Sequence, residues 1–219
     1  MKRATTMRPS ARWATAFEVL LVFACILLYI WRWHATHPLF WIPLLGFIVF
    51  SHVLHHDSPR AMGLTRADLR ASAQTILPLA AAIYFPVLVF ALATHRLALA
   101  WPGESTLGKF AGYGIWCCFQ QYLVQCYFHR RLMSIIRTPY VSSVLVAGMF
   151  GAAHIPNTVL VAATFVGGFI LAEVYKRYRN IWPLALAQAA GGLLIAALVP
   201  GPIIHNMRVG PGYYTYGSR

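Results

Sequence analysis

SAQTILPLAAAIYFPVLVFALAT, residues 72–94, contains no Asp, Glu, Lys or Arg. An α-helix rises 1.5 Å per residue, so a run of this length crosses the roughly 30 Å hydrocarbon core of a bilayer. The rest of the chain has the same character. Hydrophobic residues make up 59% of the 219 residues and charged residues 11%, against about 25% charged in a soluble domain. That balance excludes disorder, a coiled coil and most soluble folds. A chain this apolar hides its surface only in lipid. The net charge of +13 does not point to nucleic acid, because a basic nucleic-acid binder displays its charge on a polar surface. Here the charges fall between apolar runs.

Working outward from 72–94, six more stretches are apolar and long enough, or nearly so, to cross: 14–31, 38–54, 107–128, 139–154, 158–175 and 181–200. The prediction is an all-α, polytopic transmembrane bundle of about seven spans. The second, fifth and sixth are short. The fifth and sixth also suit a tight hairpin around His154, Ile155, Pro156 and Asn157. Basic residues set the orientation. Lys2, Arg3, Arg8 and Arg12 precede the first span, and Arg60, Arg66 and Arg70 follow the second. Arg130, Arg131 and Arg137 follow the fourth, and Lys176, Arg177 and Arg179 follow the sixth. The other side keeps Arg32, Arg96, Lys109, Arg208 and Arg219. The N-terminus is therefore expected in the cytoplasm and the tail outside. The basic start resembles a signal peptide, but its apolar run is long and more spans follow, so it reads as a retained helix. The organisation is N-terminal helices at 1–57, a core at 58–200 and a tail at 201–219 that is expected to cap the external mouth.

Polar side chains within spans are disfavoured by lipid and carry functional information. Gln120, Gln121 and Gln125 lie in the fourth span, His154 ends the fifth and Gln188 sits in the seventh. Gln121 and Gln125 share a helical face at i, i+4. One His and four Gln on three helices suit one intramembrane cavity; the plainer reading is helix-to-helix hydrogen bonding. Glu18 is expected to reach back to the interface, and Glu173 to pair there with Lys176 and Arg177. Cys25, Cys117, Cys118 and Cys126 lie inside spans, with no zinc-finger spacing. They read as packing, the alternative being a Cys nucleophile facing His154. His52, His55 and His56 form a His-x-x-His-His box of the sort membrane di-iron oxidoreductases use. Such enzymes need several boxes, and the six other histidines scatter, so solvated histidines at an interfacial helix end are the plainer reading.

Three stretches in order resemble the CPBP family, the CAAX prenyl protease and bacteriocin-processing (Abi-type) intramembrane proteases. Met62-Gly63-Leu64-Thr65 is similar to the loop that often precedes the family's core. Gln120-Gln121-Tyr122-Leu123-Val124-Gln125, followed by Arg130-Arg131-Leu132, sits where the family has Glu-Glu-x-x-x-Arg and a basic turn. Phe150-Gly151-Ala152-Ala153-His154 fits Phe-x-x-x-His. The run from Phe165 to Gln188 looks like the final helix pair, which carries His-x-x-x-Asn or His-x-x-x-Asp. The resemblance covers roughly residues 58–200 and implies an intramembrane endopeptidase. In the family the first glutamate activates water with the second motif's histidine, and the third motif completes the site and stabilises the oxyanion. Here those positions hold Gln120, Gln121, Gln125, Gln188 and Gly192, and only His154 is retained in kind.

A carboxamide takes no proton, so it is no general base. It still donates hydrogen bonds to a carbonyl or an oxyanion. Two functions follow from the resemblance. One is an endopeptidase with His154 as base and Gln120, Gln121 and Gln188 as polarising donors. The other is a pseudoprotease that binds a hydrophobic or lipidated peptide, or a partner membrane protein, without cleavage. A divalent metal such as zinc on His154 would have Gln120 and Gln188 as weak ligands. The expected partners are membrane lipids and such peptides, not nucleic acid, and the expected location is a bacterial inner membrane. Depth constrains a single site. Gln120 and Gln188 fall roughly 12 Å from the cytoplasmic face, and His154 roughly 22 Å if its span begins at Pro139. A tilted or late-starting fifth helix is required.

Overall fold

The computed structural model of the protein describes residues 9–94, 106–138 and 140–215. The expectations placed on Lys2, Arg3, Arg8, His95, Arg96, Pro139 and Arg219 lie outside the described residues. These residues are all-helical, without a strand. The main helices are α1 (Pro9–Thr36), α2 (Pro38–Leu54), α3 (Leu69–Ala93), α4 (Thr106–Ile135), α5 (Val141–Ala152), α6 (Thr158–Arg177) and α7 (Trp182–Leu198). Each expected span overlies one of them. Only α1, α3 and α6 are long and apolar enough to cross a membrane by length and composition. The shorter apolar helices are α2, α5 and α7. All seven expected stretches are thus helices, and three of them combine the length and the apolarity of a membrane span.

Local chemistry sets the breaks. Pro156 disfavours helix at the residue before it, and the chain turns from α5 into α6 between Ala152 and Thr158. Asn157 starts α6 by accepting a hydrogen bond from the Leu160 amide at 3.3 Å, an N-cap. The α5–α6 pair packs more extensively than any other pair of elements, as the hairpin alternative anticipated. In α4 the turns widen to a π-helix over Tyr122–His129 before α-geometry resumes at Arg130. Such insertions are frequent at functional sites.

The core follows from the same pattern. Val19, Val22 and Ile48 pack with Tyr127, Phe128 and Phe150, and Ile76 packs with Leu171, Tyr175 and Leu184. Phe17, Leu20, Phe50, Phe85, Phe90, Ile115 and Trp116 are exposed. A soluble monomer does not display such a belt; lipid covers it.

One loop joins the two halves. Gly63 has φ +78°, and a Cβ there would stand 2.7 Å from the Arg179 carbonyl carbon. Only glycine accepts both the left-handed backbone and that approach. Around it, Tyr175 Oη donates to the Met62 carbonyl at 2.8 Å and the Ile181 amide to the Gly63 carbonyl at 3.1 Å. Asn180 Nδ2 donates to Thr65 and Ala67 carbonyls, both at 2.8 Å. The Met62–Thr65 motif is thus the strap that fixes the α6–α7 turn.

Candidate functional site in the membrane cavity

The bundle surrounds a partly open cavity of about 1490 Å³ lined by all seven main helices and by Asn206, Met207 and Val209 of the tail. The tail is anchored there. Asn157 Nδ2 donates to the Ile204 and Arg208 carbonyls at 2.7 and 3.2 Å, and the Gly210 amide donates to the Ile155 carbonyl at 3.0 Å. Most of the lining is aliphatic or aromatic. Among the described residues, no Asp, Glu, Lys, Arg or Cys lines the cavity.

Three of the four expected glutamines meet. Gln121 Nε2 donates to Gln188 Oε1 at 2.6 Å, and Gln188 Nε2 donates to Gln120 Oε1 at 2.6 Å. The Gln188 carboxamide is engaged at both ends and ties α4 to α7. Gln120 and Gln188 line the cavity; Gln121 is fully buried behind them. Gln125 does not join the group. It is fully buried and accepts a hydrogen bond from His129 Nδ1 at 2.9 Å, with Ser142 and Ser143 each 3.4 Å from His129 Nε2. The π-helical turns begin immediately after Gln121, so Gln125 no longer continues its face.

His154 lines the same cavity, in the α5–α6 turn rather than on a helix. Its Nδ1 lies 2.7 Å from the Phe150 carbonyl. A carbonyl only accepts, so Nδ1 carries the proton and Nε2 holds the lone pair. No hydrogen bond joins His154 to the glutamines. With no cysteine in the lining, the Cys nucleophile facing His154 is not supported. The donors also do not suit zinc. Carboxamides are poor ligands, and Gln188 already spends both polar atoms on its neighbours. Among the described residues, no group of three His, Cys, Asp or Glu side chains is placed to hold a metal.

A second polar cluster sits apart from the glutamines, and one expectation changes in part there. Glu18 is held by side chains near the ends of α2 and α4. It accepts hydrogen bonds from Ser51 Oγ at 2.5 Å, Tyr127 Oη at 2.8 Å and His55 Nε2 at 3.1 Å, and pairs with Arg131. The His52–His56 box is solvated only in part, with His56 exposed, His55 half-buried and His52 buried. His52 is 5% exposed and donates from Nδ1 to Asp57 at 2.8 Å. Asp57 also pairs with Arg130 and, at 2.7 Å, with Arg131. His52 and His55, two of the three box histidines, therefore serve different carboxylates, which weighs against a shared iron site. Burial alone would raise the Asp57 carboxyl. Hydrogen bonds from His52, Arg130 and Arg131, with the Arg130 charge, reverse this and hold it well below the usual carboxylate range. Glu173 pairs with Lys176 at 3.0 Å as expected, without an Arg177 contact.

Sequence reasoning passed over Tyr84 and Tyr113, which line the cavity beside Gln188. Tyr84 Oη donates to the Ala187 carbonyl at 3.2 Å, and Tyr113 hydrogen-bonds to Cys117. Their signal was phenols inside apolar helices opposite the Gly191-Gly192 pair.

An all-helical integral membrane protein with a largely apolar cavity that carries a small polar wall is the class these features define. Residues 115–194, just over a third of the chain, match the family model described as Type II CAAX prenyl endopeptidase Rce1-like. The match spans Gln120, Gln121, His154 and Gln188 and agrees with the resemblance carried by the motifs. Neither the curated proteins nor the solved structures give a match.

Proposed function

We propose that the protein is a CAAX-protease-like membrane protein that takes a hydrophobic or lipidated peptide, or a partner's membrane helix, into its cavity and holds it without efficient cleavage. The observation that carries this reading is the interlocked carboxamide set. Gln120, Gln121 and Gln188 stand where the resemblance puts the acid and base groups, and they hydrogen-bond to one another. None can take a proton from water. They form a neutral polar wall in an apolar cavity, the composition expected of a binding site.

A second reading keeps hydrolysis, supported by His154. Its Nε2 carries a lone pair in the cavity lining, so it supplies the site's one conventional base. Gln120 would then polarise the scissile carbonyl. Orientation with the N-terminus in the cytoplasm of a bacterial inner membrane belongs to both readings and rests on the basic loops.

The test is to offer the purified protein in lipid nanodiscs lipidated C-terminal peptides, both as free acids and with amidated C-termini, with His154→Ala as control. Peptide that binds and stays intact is the expected result. Product formed by the wild type and lost in His154→Ala would replace binding by hydrolysis. No peptide binding at all would remove both readings.

A further inference from the structure

Gly191 and Gly192 leave no side chain on α7 beside Gln188, and the space is filled from elsewhere. A Cβ on Gly192 would stand 1.8 Å from Tyr113 Oη, and one on Gly191 would stand 2.6 Å from Tyr84 Oη. The phenols therefore occupy the volume that side chains at 191 and 192 would take. Both tyrosines line the cavity together with Gln120 and Gln188. Tyr84 spends its proton on the Ala187 carbonyl, which leaves its oxygen free to accept. Gln120 Oε1 receives the Gln188 amide, which leaves Gln120 Nε2 to donate. A donor and an acceptor thus stand on one wall, without a charge among the described lining residues.

We infer that Tyr113 and Tyr84 are ligand-contacting residues of this cavity, which selects an uncharged secondary-amide head group on an apolar chain and rejects a free carboxylate. This rests on the reading of the cavity as a peptide-binding site. An amide both donates and accepts, matching Gln120 Nε2 and the phenol oxygens. A carboxylate has no cation to meet it, and an unpaired charge in an apolar site is strongly disfavoured.

Two photoreactive S-farnesyl pentapeptides test this, identical except for a C-terminal N-methylcarboxamide, a secondary amide, or a carboxylate, with the full chain in nanodiscs and label sites mapped by mass spectrometry. The carboxamide is expected to bind about tenfold more tightly and to label cavity residues. Tyr113→Phe and Tyr84→Phe, each keeping the ring, should weaken it by about fivefold, the scale of one hydrogen bond. Gly192→Ala should weaken it similarly, and adding Tyr113→Phe to it should change little, because both act on one phenol. Tyr140→Phe, outside the cavity, is the control. Labelling of the cavity with equal affinity for the two peptides, or unchanged in both phenylalanine variants, overturns the inference and leaves peptide binding standing. Absence of cavity labelling by either peptide overturns both.

Discussion

The molecule holds two buried polar clusters of opposite design. In one, Glu18 and Asp57 meet Arg130 and Arg131 with His52, His55, Ser51 and Tyr127 around them. In the other, Gln120, Gln121 and Gln188 meet with no charge at all. The first joins α1, α2 and α4 and has no residue in the cavity lining; the second lines the cavity. Charges in a low-dielectric site are tolerated when each finds a partner, and removal of one partner strands the other. A cavity that receives a guest cannot keep its charges paired in both empty and filled states. Carboxamides avoid that difficulty, since they exchange one hydrogen bond for another. The charged cluster is therefore suited to structure, and the neutral one to binding.

The comparison breaks most easily at its charged end. Arg131→Met removes the cation that Glu18 and Asp57 share, leaving Asp57 to Arg130 and Glu18 to its hydrogen-bond donors, and should destabilise the protein by about 3–5 kcal/mol, read as a large drop in thermal midpoint in nanodiscs. Gly63→Ala forces a Cβ into the Arg179 backbone at positive φ and should cost about 3 kcal/mol, with faster proteolysis near the α6–α7 turn. Gln188→Leu removes both carboxamide bonds and should cost about 1–3 kcal/mol, clearly less than Arg131→Met; an equal or larger loss would erase the distinction between the clusters. Acid sharpens it further. The Asp57 carboxyl is lowered in the folded protein, so its contribution is complete above the ordinary carboxylate pKa of about 3.9. It fades as pH falls below that value toward the lowered one. Asp57→Asn should flatten that part of the stability profile, and Gln120→Glu should not. The smallest expected effect is on chemistry. Gln120→Glu with Gln188→His should raise peptide hydrolysis from a very low base, and no change in product would argue that the cavity lacks the geometry for cleavage.

Much of the fold was legible because lipid leaves few choices. Uninterrupted apolar runs must be helices in a membrane, so the positions of α1 to α7 follow from hydropathy. Helix length was less legible, since α5 stops at Ala152 where Pro156 and Asn157 impose a turn. The meeting of Gln120, Gln121 and Gln188 could be anticipated because lipid disfavours lone amides. The separate fate of Gln125 could not, because a π-helical stretch changes which side chains share a face and leaves little trace in composition. The partners of Glu18 were hidden for a related reason. A single carboxylate in a span does not name its partners, and Ser51 and Arg131 come from other helices.

The order of residues by itself determined that this protein is a helical membrane bundle with an amide-rich segment, because hydrophobic run length and the scarcity of charge act locally along the chain. Only the tertiary structure decided that its charges pair away from the cavity and that two tyrosines fill the space over Gly191 and Gly192. Pairing and steric complementarity depend on residues tens of positions apart, and they exist only once the helices have packed.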